Sequence, residues 1–174
     1  GDMSVSPGNS ITGAAHYKFD GGELQGDSAD LADSVLVAHA AAIVGHVDEK
    51  IIAIEIGGKP FTPGTYRSGS AINFASGTTV TLDGDGEYIF IAVNTLVTAA
   101  DTSFILTNGA KAENVLWALG TAATLGARSV VEGSILAGTA ITFGTESKLH
   151  GWALGQSAGT FASGGSIGLK CTST

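Results

Sequence analysis

The sequence predicts a mainly β protein, a β-solenoid with irregular coils of about 18 or more residues and one long α-helix, about 28–44, packed alongside. Three observations predict this fold class. The C-terminal third of the chain repeats at a fixed spacing, each repeat alternates with a period of two, and one Ala- and Leu-rich segment has a helical period instead. The 174 residues supply one sizeable core, so we expect a single domain, 1–174.

The repeat consists of three blocks of equal length: TAATLGARSVVEGSILAG from Thr121, TAITFGTESKLHGWALGQ from Thr139 and SAGTFASGGSIGLKCTST from Ser157. Alternating residues interrupted by Gly or Ser are typical of short strands joined by tight corners. One block cannot bury its apolar side alone, so we expect successive blocks to stack as coils. Two earlier segments, which begin at Ser70 and Thr95, open in the same way.

The segment 28–44 is the one part of the chain that we expect to be helical. It places Leu31, Val35 and Ala38 on one stripe, and Gly45 follows as a stop signal. Its apolar character extends well round the cylinder, so we expect the helix to lie against the solenoid.

The charge balance excludes several classes of partner. With 8 Lys+Arg against 16 Asp+Glu the net charge is −8, so nucleic acid and anionic membrane surfaces would repel the chain. No run approaches the roughly 18 apolar residues of a membrane span. The start of the chain lacks a basic segment followed by an apolar one, so the chain is either cytosolic or a mature secreted product without its leader. The role of Cys171, the single cysteine, stays open.

No constellation of residues predicts catalysis, a cofactor or a metal. Solenoid enzymes that cleave polysaccharides need paired carboxylates on adjacent coils, yet the repeat position of Glu132 holds His150 and then Gly168. The acidic turn 83–87 offers oxygen ligands for calcium, but an acidic, Gly-rich turn between strands explains the same residues. We therefore expect no enzyme, no catalytic residue, no cofactor and no metal site.

The small residues of the repeats form the remaining candidate site. Because side chains alternate along a strand, inward Ile141 and Phe143 place Ala140 and Thr142 outward, and stacking turns such positions into rows. Thr is also simply a good strand residue for an exposed face, and that interpretation stays open. A flat, uncharged and rigid array of methyl and hydroxyl groups fits a crystalline ligand such as ice. The candidate residues are Ser70, Ala71, Asn73, Thr95, Thr98, Thr121, Ala122, Thr124, Thr139, Ala140, Thr142, Ser157, Ala158 and Thr160.

The chain resembles the microbial ice-binding proteins that are built on a discontinuous β-solenoid with a long helix alongside. The matching strings are GDMSVSPGNSITG from Gly1, IGGKPFTPGTY from Ile56, LTNGAKAENVLWALG from Leu106 and VVEGSILAGTAITFGTESKLHGWALGQSA from Val130. They span nearly the whole chain in family order. Family members usually begin with a further apolar coil before the first string, and Leu96 stands where the family motif has Ala.

The family's ice-binding motif is Thr, then Ala or Gly, any residue, and Thr or Asn. Residues 121–124 and 139–142 carry it, and 70–73 and 157–160 carry it with Ser in the first place. The resemblance implies a secreted antifreeze protein that adsorbs to the surface of an ice crystal and inhibits its growth and recrystallisation. Two alternatives stay open. One is a structural or adhesive solenoid that self-associates through open coil ends instead of remaining a monomer, and the other is a carbohydrate-active solenoid.

Overall fold

A computed structural model of the chain describes residues 48–168 and four short strands between Met3 and Gln25. Twenty-one strands lie in these parts of the chain, and all their pairings are parallel. In chain order they are β1 (Met3–Val5), β2 (Ser10–Thr12), β3 (Lys18–Asp20), β4 (Leu24–Gln25), β5 (Lys50–Ile51), β6 (Pro60–Phe61), β7 (Gly64–Ser68), β8 (Ile72–Phe74), β9 (Thr79–Asp83), β10 (Tyr88–Ala92), β11 (Leu96–Thr98), β12 (Ser103–Thr107), β13 (Val115–Leu119), β14 (Ala123–Leu125), β15 (Val130–Glu132), β16 (Ser134–Ala137), β17 (Ala140–Phe143), β18 (Lys148–His150), β19 (Ala153–Gly155), β20 (Ala158–Phe161) and β21 (Ser166–Gly168).

Five successive coils make up residues 64–168, and each coil contributes one strand to each of three faces. Coil 1 is β7–β9, coil 2 is β10–β12, coil 3 is β13–β15, coil 4 is β16–β18 and coil 5 is β19–β21. The first face is an eight-stranded sheet in the order β4-β1-β19-β16-β13-β10-β7-β5. The second face is a six-stranded sheet in the order β2-β20-β17-β14-β11-β8. The third face consists of a three-stranded sheet, β12-β9-β6, and a four-stranded sheet, β15-β18-β21-β3. The predicted stack of coils is therefore confirmed.

The strands that come first in the chain do not stack on coil 1. β1, β2 and β3 pair with β19, β20 and β21, so they lie beyond coil 5, at the far end of the solenoid. β5 and β6 occupy the other end and pair with β7 and β9 of coil 1. The order of coils in space therefore differs from their order in the sequence.

The predicted fold class needs one correction, which concerns the helix. The described residues contain no α-helix and only one 3₁₀ turn, Ala112–Asn114. The segment predicted to be helical, 28–44, lies outside the described residues. That prediction rested on local periodicity, and an apolar pattern that extends round the cylinder does not by itself distinguish a helix from other buried structure. The described residues accordingly form a β-solenoid, and they include no long helix packed alongside it.

The described part of the chain also offers no helical membrane span. No helix there is long and apolar enough to cross a bilayer.

The interior of the solenoid is one apolar cluster that all five coils share. Its centre is a ladder of rings, since the register places Tyr66, Phe90 and Trp117 side by side on the first face. The ring centroids of Tyr66 and Phe90 lie 5.2 Å apart, and those of Phe90 and Trp117 lie 4.3 Å apart in a stacked arrangement. The buried Trp117 indole donates a hydrogen bond to the carbonyl of Glu132 at 2.9 Å. These contacts join coils 1, 2 and 3 through side chains as well as backbone.

The outward side of the first face is also largely apolar. Ile91 and Ala118 are fully buried there, Leu136 is 5% exposed, and Ile89, Leu116 and Leu154 pack against them. Apolar residues on both sides of a strand are typical of parallel sheets. The second face differs, because its outward residues are small and mostly polar.

The corners between the second and third faces have a repeated backbone conformation. The aligned residues Asp101, Arg128 and Glu146 have φ of 60°, 57° and 58°, and Gly77 and Gly164 hold the same corner in coils 1 and 5 with φ of 69° and 78°. This left-handed conformation is one that L side chains rarely adopt, so its recurrence at three non-glycine residues marks a constraint that the coils share. The regular corners fix the edge of the second face at one place in every coil.

A hydroxyl closes three of these corners in the same way. The Oγ1 of Thr78, the Oγ1 of Thr102 and the Oγ of Ser129 each donate to the carbonyl three residues earlier, at 2.6, 3.0 and 2.7 Å. Such side-chain bonds are typical of turns, because they satisfy backbone groups that strand pairing leaves free. They stiffen the border of the second face.

Replacement of Gly120 by Ala tests how closely the coils approach. Gly120 lies at the corner between the first and second faces, and an added Cβ would stand 1.9 Å from the carbonyl oxygen of Val93. Backbone atoms cannot yield without disturbing the strand pairing, so we expect Gly120→Ala to lower the free energy of unfolding by about 1–3 kcal/mol or more. Urea denaturation measures this change.

Gly69 holds the same corner in coil 1 and provides the matched control. Nothing lies within 4 Å of a Cβ built on it. We expect Gly69→Ala to leave the urea midpoint nearly unchanged. Equal midpoints for the two variants would contradict the close approach at Gly120.

Candidate functional site

The second face is built from short strands whose side chains alternate strictly. In β17, Ile141 and Phe143 are buried at 0% and 1% exposure, while Thr142 between them is exposed. The aligned β14 has the same pattern, with Thr124 exposed between buried neighbours. Each coil therefore presents one side chain from the middle of its strand to the outside.

The register aligns these middle side chains into one row. Asn73, Val97, Thr124, Thr142 and Thr160 stand opposite one another in β8, β11, β14, β17 and β20, and we call them the outer row. Thr124, Thr142 and Thr160 are exposed, and Val97 is 36% exposed. Neighbouring strands in a sheet lie about 4.7–4.9 Å apart, so the outer row repeats at that distance.

A second row, the Ala row, runs two residues before the outer row on every strand. It consists of Ala71, Thr95, Ala122, Ala140 and Ala158, and each of these is partly exposed. Backbone bonds fix its register: the Ile72 amide donates to the carbonyl of Thr95, and the Leu96 amide donates to that of Ala122. The Ala row lies beside the outer row and adds methyl groups to the face.

A third row, the corner row, begins the second face in each coil. Its members are Ser70, Asn94, Thr121, Thr139 and Ser157. From coil 2 onward each amide donates to the carbonyl of the coil before it: Asn94 to Ser70 at 3.0 Å, Thr121 to Asn94 at 2.9 Å, Thr139 to Thr121 at 2.9 Å and Ser157 to Thr139 at 3.0 Å. The three rows together hold thirteen of the fourteen candidate residues.

Thr98 is the candidate that the structure does not place on the second face. Its side chain is buried at 2% exposure, and its Oγ1 accepts a hydrogen bond from the Gly126 amide at 2.9 Å. Its neighbour Val97 takes the position in the outer row instead. In a strand, a shift of one residue moves every side chain to the opposite side.

The predicted and observed registers differ because the prediction aligned coil 2 with the other coils by its threonines. The structure aligns it on Leu96, which is fully buried and pairs with Ile72 and Ala123. Coil 2 therefore contributes Asn94, Thr95 and Val97 to the three rows. The sequence predicted only Thr95 among them, and it assigned Thr95 to the position of the corner row instead of the Ala row. Alignment of each strand by its two inward residues, which are separated by one position, would have given the correct register, because every strand of the second face has that spacing.

Charges lie at the border of the face and not in its rows. At the coil 1 end, the backbone of Glu55 forms an isolated parallel β-bridge with Asn73. The Oε1 of Glu55 accepts hydrogen bonds from the backbone amides of Gly57 at 2.8 Å and Ala75 at 3.1 Å. At the corners, Arg128 donates to both carboxylate oxygens of Asp101, from Nε at 2.7 Å and from Nη2 at 2.8 Å. These hydrogen bonds hold the pKa of Asp101 below its ordinary value of 3.8.

The acidic turn that the sequence offered for calcium belongs to the third face. Asp83 accepts a hydrogen bond from the Thr107 hydroxyl at 2.8 Å and another from the Asn108 amide group. Within residues 48–168 and the short strands described before them, no group of three or more His, Cys, Asp or Glu residues is arranged to hold a metal. A hydrogen-bonded turn between strands accounts for Asp83.

Comparison with known proteins gives a consistent result. A family model described as ice-binding-like matches residues 1–163. An ice-binding protein of Nostoc sp. (strain HG1) is 30% identical over 143 residues, which is 78% of this chain and 51% of that protein. An ice-binding protein of Flavobacterium frigoris (strain PS1) is 35% identical over 82 residues, which is 47% of this chain and 30% of that protein. The chain thus spans about half the length of these relatives, or less.

Solved structures give the same family. The crystal structure of an ice-binding protein from the Antarctic ascomycete Antarctomyces psychrotrophicus is similar with a TM-score of 0.81 and 28% identity, over 100% of this chain and 95% of that one. An ice-binding protein from an Antarctic biological consortium has a TM-score of 0.81 and 29% identity, over 97% of this chain and 79% of that one. The resemblance first carried by the sequence strings is thereby confirmed, and the chain belongs to the ice-binding-like family.

Proposed function

We propose that this chain is an ice-binding, antifreeze protein that adsorbs to ice crystals through its second face. The observation that carries the proposal is the regular part of the outer row. Thr124, Thr142 and Thr160 are all exposed and stand opposite one another on a stack of paired strands. The family membership names the class of ligand, and the outer row supplies the geometry that a lattice requires.

The chemistry of adsorption follows from the groups in the rows. Removing water from the Thr and Ala methyl groups costs little free energy, so ice can cover them without a large penalty. The Thr hydroxyls can hold waters at fixed positions, so that the face carries a water layer compatible with an ice plane. A charged side chain would keep its own hydration shell and disrupt that layer. The charges of Glu55, Asp101 and Arg128 stand at the border, outside the rows.

Rigidity explains how weak contacts add up to lasting attachment. Thr is stiff at χ1 because it is branched at Cβ, and the paired strands and hydrogen-bonded corners fix the backbone beneath it. Little conformational entropy is therefore lost on adsorption, and many small contacts sum. Ice that advances between adsorbed molecules must curve, and a curved front melts more readily than a flat one. Growth and recrystallisation are slowed without any chemical step, and we propose no enzymatic activity.

The remaining features of this proposal concern the protein's surroundings. We propose that the protein is secreted, acts on ice outside the cell as a monomer, and binds neither nucleic acid nor membranes. The net charge of −8 supports the last point, since polyphosphates and anionic lipids carry the same sign. Neither the adhesive nor the carbohydrate-active alternative gains a supporting observation among the described residues.

Three measurements test the proposal directly. Folded protein is expected to change the shape of single ice crystals and to keep the grains of a frozen sucrose solution small during annealing. Light scattering over a dilution series is expected to give a constant monomer mass. Unaltered crystal growth together with normal recrystallisation, from a sample with an intact β spectrum, would remove the proposed function.

Replacement of Glu87 by Gln is expected to leave ice activity unchanged. Glu87 is exposed and precedes β10, and its carbonyl accepts a hydrogen bond from the Gly64 amide, so its carboxylate stands outside the three rows. The measurement is recrystallisation inhibition with and without a calcium chelator. A large loss in the variant, matched by a loss on chelation, would show that the acidic turn binds calcium needed for activity.

A further inference from the structure

We propose that Val97 interrupts the outer row, so that Asn73 of coil 1 is separated from the run of Thr124, Thr142 and Thr160. Val97 thereby limits the size of the patch that acts on ice, and a hydroxyl at this one position is enough to join the two parts. This inference rests on the proposed function. The ligand comes from the family membership, and the interruption comes from the register and from the chemistry of one side chain.

Val97 lies between polar neighbours in the outer row. It stands opposite Asn73 on one side and opposite Thr124 on the other, and it is 36% exposed. Its side chain therefore faces the same water or ice as theirs. It is the one member of the outer row that has neither a hydroxyl nor an amide group in its side chain. Val97 thus has the branched shape of Thr but holds no water.

The spacing of the row decides what a single water can connect. Paired strands lie about 4.7–4.9 Å apart, and a water that makes two hydrogen bonds of about 2.8 Å joins groups up to about 5.6 Å apart. One water can therefore bridge aligned neighbours such as the hydroxyls of Thr124 and Thr142. Across Val97, Asn73 and Thr124 lie two spacings apart, about 9.4–9.8 Å, which one water cannot span. The ordered water layer is broken at coil 2.

The two threonines beside Val97 do not supply the missing hydroxyl. Thr98 is 2% exposed and its Oγ1 accepts a hydrogen bond from the Gly126 amide, so this hydroxyl is used inside the solenoid. Thr95 is partly exposed but precedes Val97 by two residues, which places it about 6.6 Å away along the strand. That distance also exceeds the reach of one water. The outer row therefore has no hydroxyl at coil 2.

The Val97→Thr variant tests the inference by adding the hydroxyl. Both residue types are branched at Cβ and favourable in strands, so we expect the fold to stay intact, as circular dichroism and the urea midpoint will establish. We expect the protein concentration needed for recrystallisation inhibition to fall about threefold, within the range that one hydrogen bond contributes.

Val93→Thr is the matched control. Val93 is 45% exposed in the same coil, but it precedes the corner row and so lies before the second face. The chemical change is the same as in Val97→Thr, whereas the added hydroxyl lies outside the outer row. We expect this control to leave the concentration needed for inhibition unchanged.

Asn73→Ala, made with and without Val97→Thr, measures the connection itself. Without the added hydroxyl we expect Asn73→Ala to leave the concentration needed for inhibition unchanged, because Asn73 is separated from the Thr run. Together with Val97→Thr we expect it to raise that concentration about twofold, since the extended row loses its last member. A double-mutant cycle of this kind isolates the coupling between two positions.

The outcomes separate this inference from the proposed function. The inference is overturned if Val97→Thr leaves the concentration unchanged or raises it, or if Val93→Thr brings an equal gain. It is also overturned if Asn73→Ala has the same effect with and without Val97→Thr. The proposed function is judged on other samples: it fails if the protein without substitutions does not inhibit recrystallisation, and the proposed face is wrong if Thr142→Tyr keeps full activity.

Discussion

A Thr142→Tyr variant is expected to need about tenfold more protein, or more, to inhibit ice recrystallisation, while its fold stays intact. Thr142 is exposed in the middle of the regular part of the outer row, with Thr124 and Thr160 as its neighbours. A Tyr ring there projects beyond both neighbours, so the face can no longer approach a flat ice plane. Because adsorption depends on many contacts made together, one obstacle removes several of them.

The fold is expected to tolerate this ring because the position faces water. Tyr is also a favourable residue in strands. Circular dichroism and urea denaturation of the variant check that the coils remain stacked, and the recrystallisation assay and the shape of single ice crystals measure the function.

Ile105→Tyr is the matched control on another face. Ile105 is 49% exposed in β12 of the third face, at a mid-strand position comparable to that of Thr142. We expect the Ile105→Tyr variant to keep its ice activity. Loss of activity in this control, with Thr142→Tyr unaffected, would assign ice binding to the third face and contradict the proposal.

The largest expected effect on stability comes from Trp117→Ala. Trp117 is fully buried, and its indole stacks on Phe90 with ring centroids 4.3 Å apart and contacts Phe74 and Phe104 edge to face. Removal of the ring leaves a large cavity in the interior and breaks the hydrogen bond to the carbonyl of Glu132. Substitutions of this kind lower the free energy of unfolding by about 3–5 kcal/mol.

Trp152→Ala separates this cavity effect from the loss of a tryptophan as such. Trp152 is 43% exposed, so its removal opens no enclosed space. Urea denaturation is expected to give a much lower midpoint for Trp117→Ala and a small change for Trp152→Ala. Similar midpoints for the two variants would show that the ladder of rings does not hold the coils together.

The coils could be predicted from the sequence wherever the repeat is strict. In coils 3 to 5 the equal spacing of Thr124, Thr142 and Thr160 along the chain is preserved as a direct pairing of strands. The prediction was possible because each coil meets the same neighbours and therefore carries the same residue types. All three candidate positions lie on the second face in each of these coils.

Coil 2 shows where such reasoning fails. The threonines at 95 and 98 imitate the spacing of the motif, yet burial of Leu96 decides the register and places Thr98 inside. Thr carries both a hydroxyl and a methyl group, so it is accepted on either side of a strand. A Thr in the sequence therefore says little about whether its side chain faces the interior or the solvent. Large apolar residues carry more, since exposure of Leu96 would be unfavourable by about 2 kcal/mol.

The partner of β2 could not be predicted from the repeat. Its pairing with β20 joins residues that are far apart in the sequence, and no periodic spacing relates them. The helix expected at 28–44 rested on local periodicity alone, and local periodicity contains no information about what a segment packs against. Order in space was therefore less predictable than the existence of the coils.

This pairing of distant strands has a consequence for how the molecule folds. Met3 lies opposite Ala153 in coil 5, so β1 reaches β19 only after the four preceding coils have been synthesised. Contacts between residues far apart in sequence slow folding, because a long loop must close before they form. A solenoid that grows coil by coil can gain stability during translation, whereas the far end of this one is completed late, by a segment that leaves the ribosome long before its partner exists.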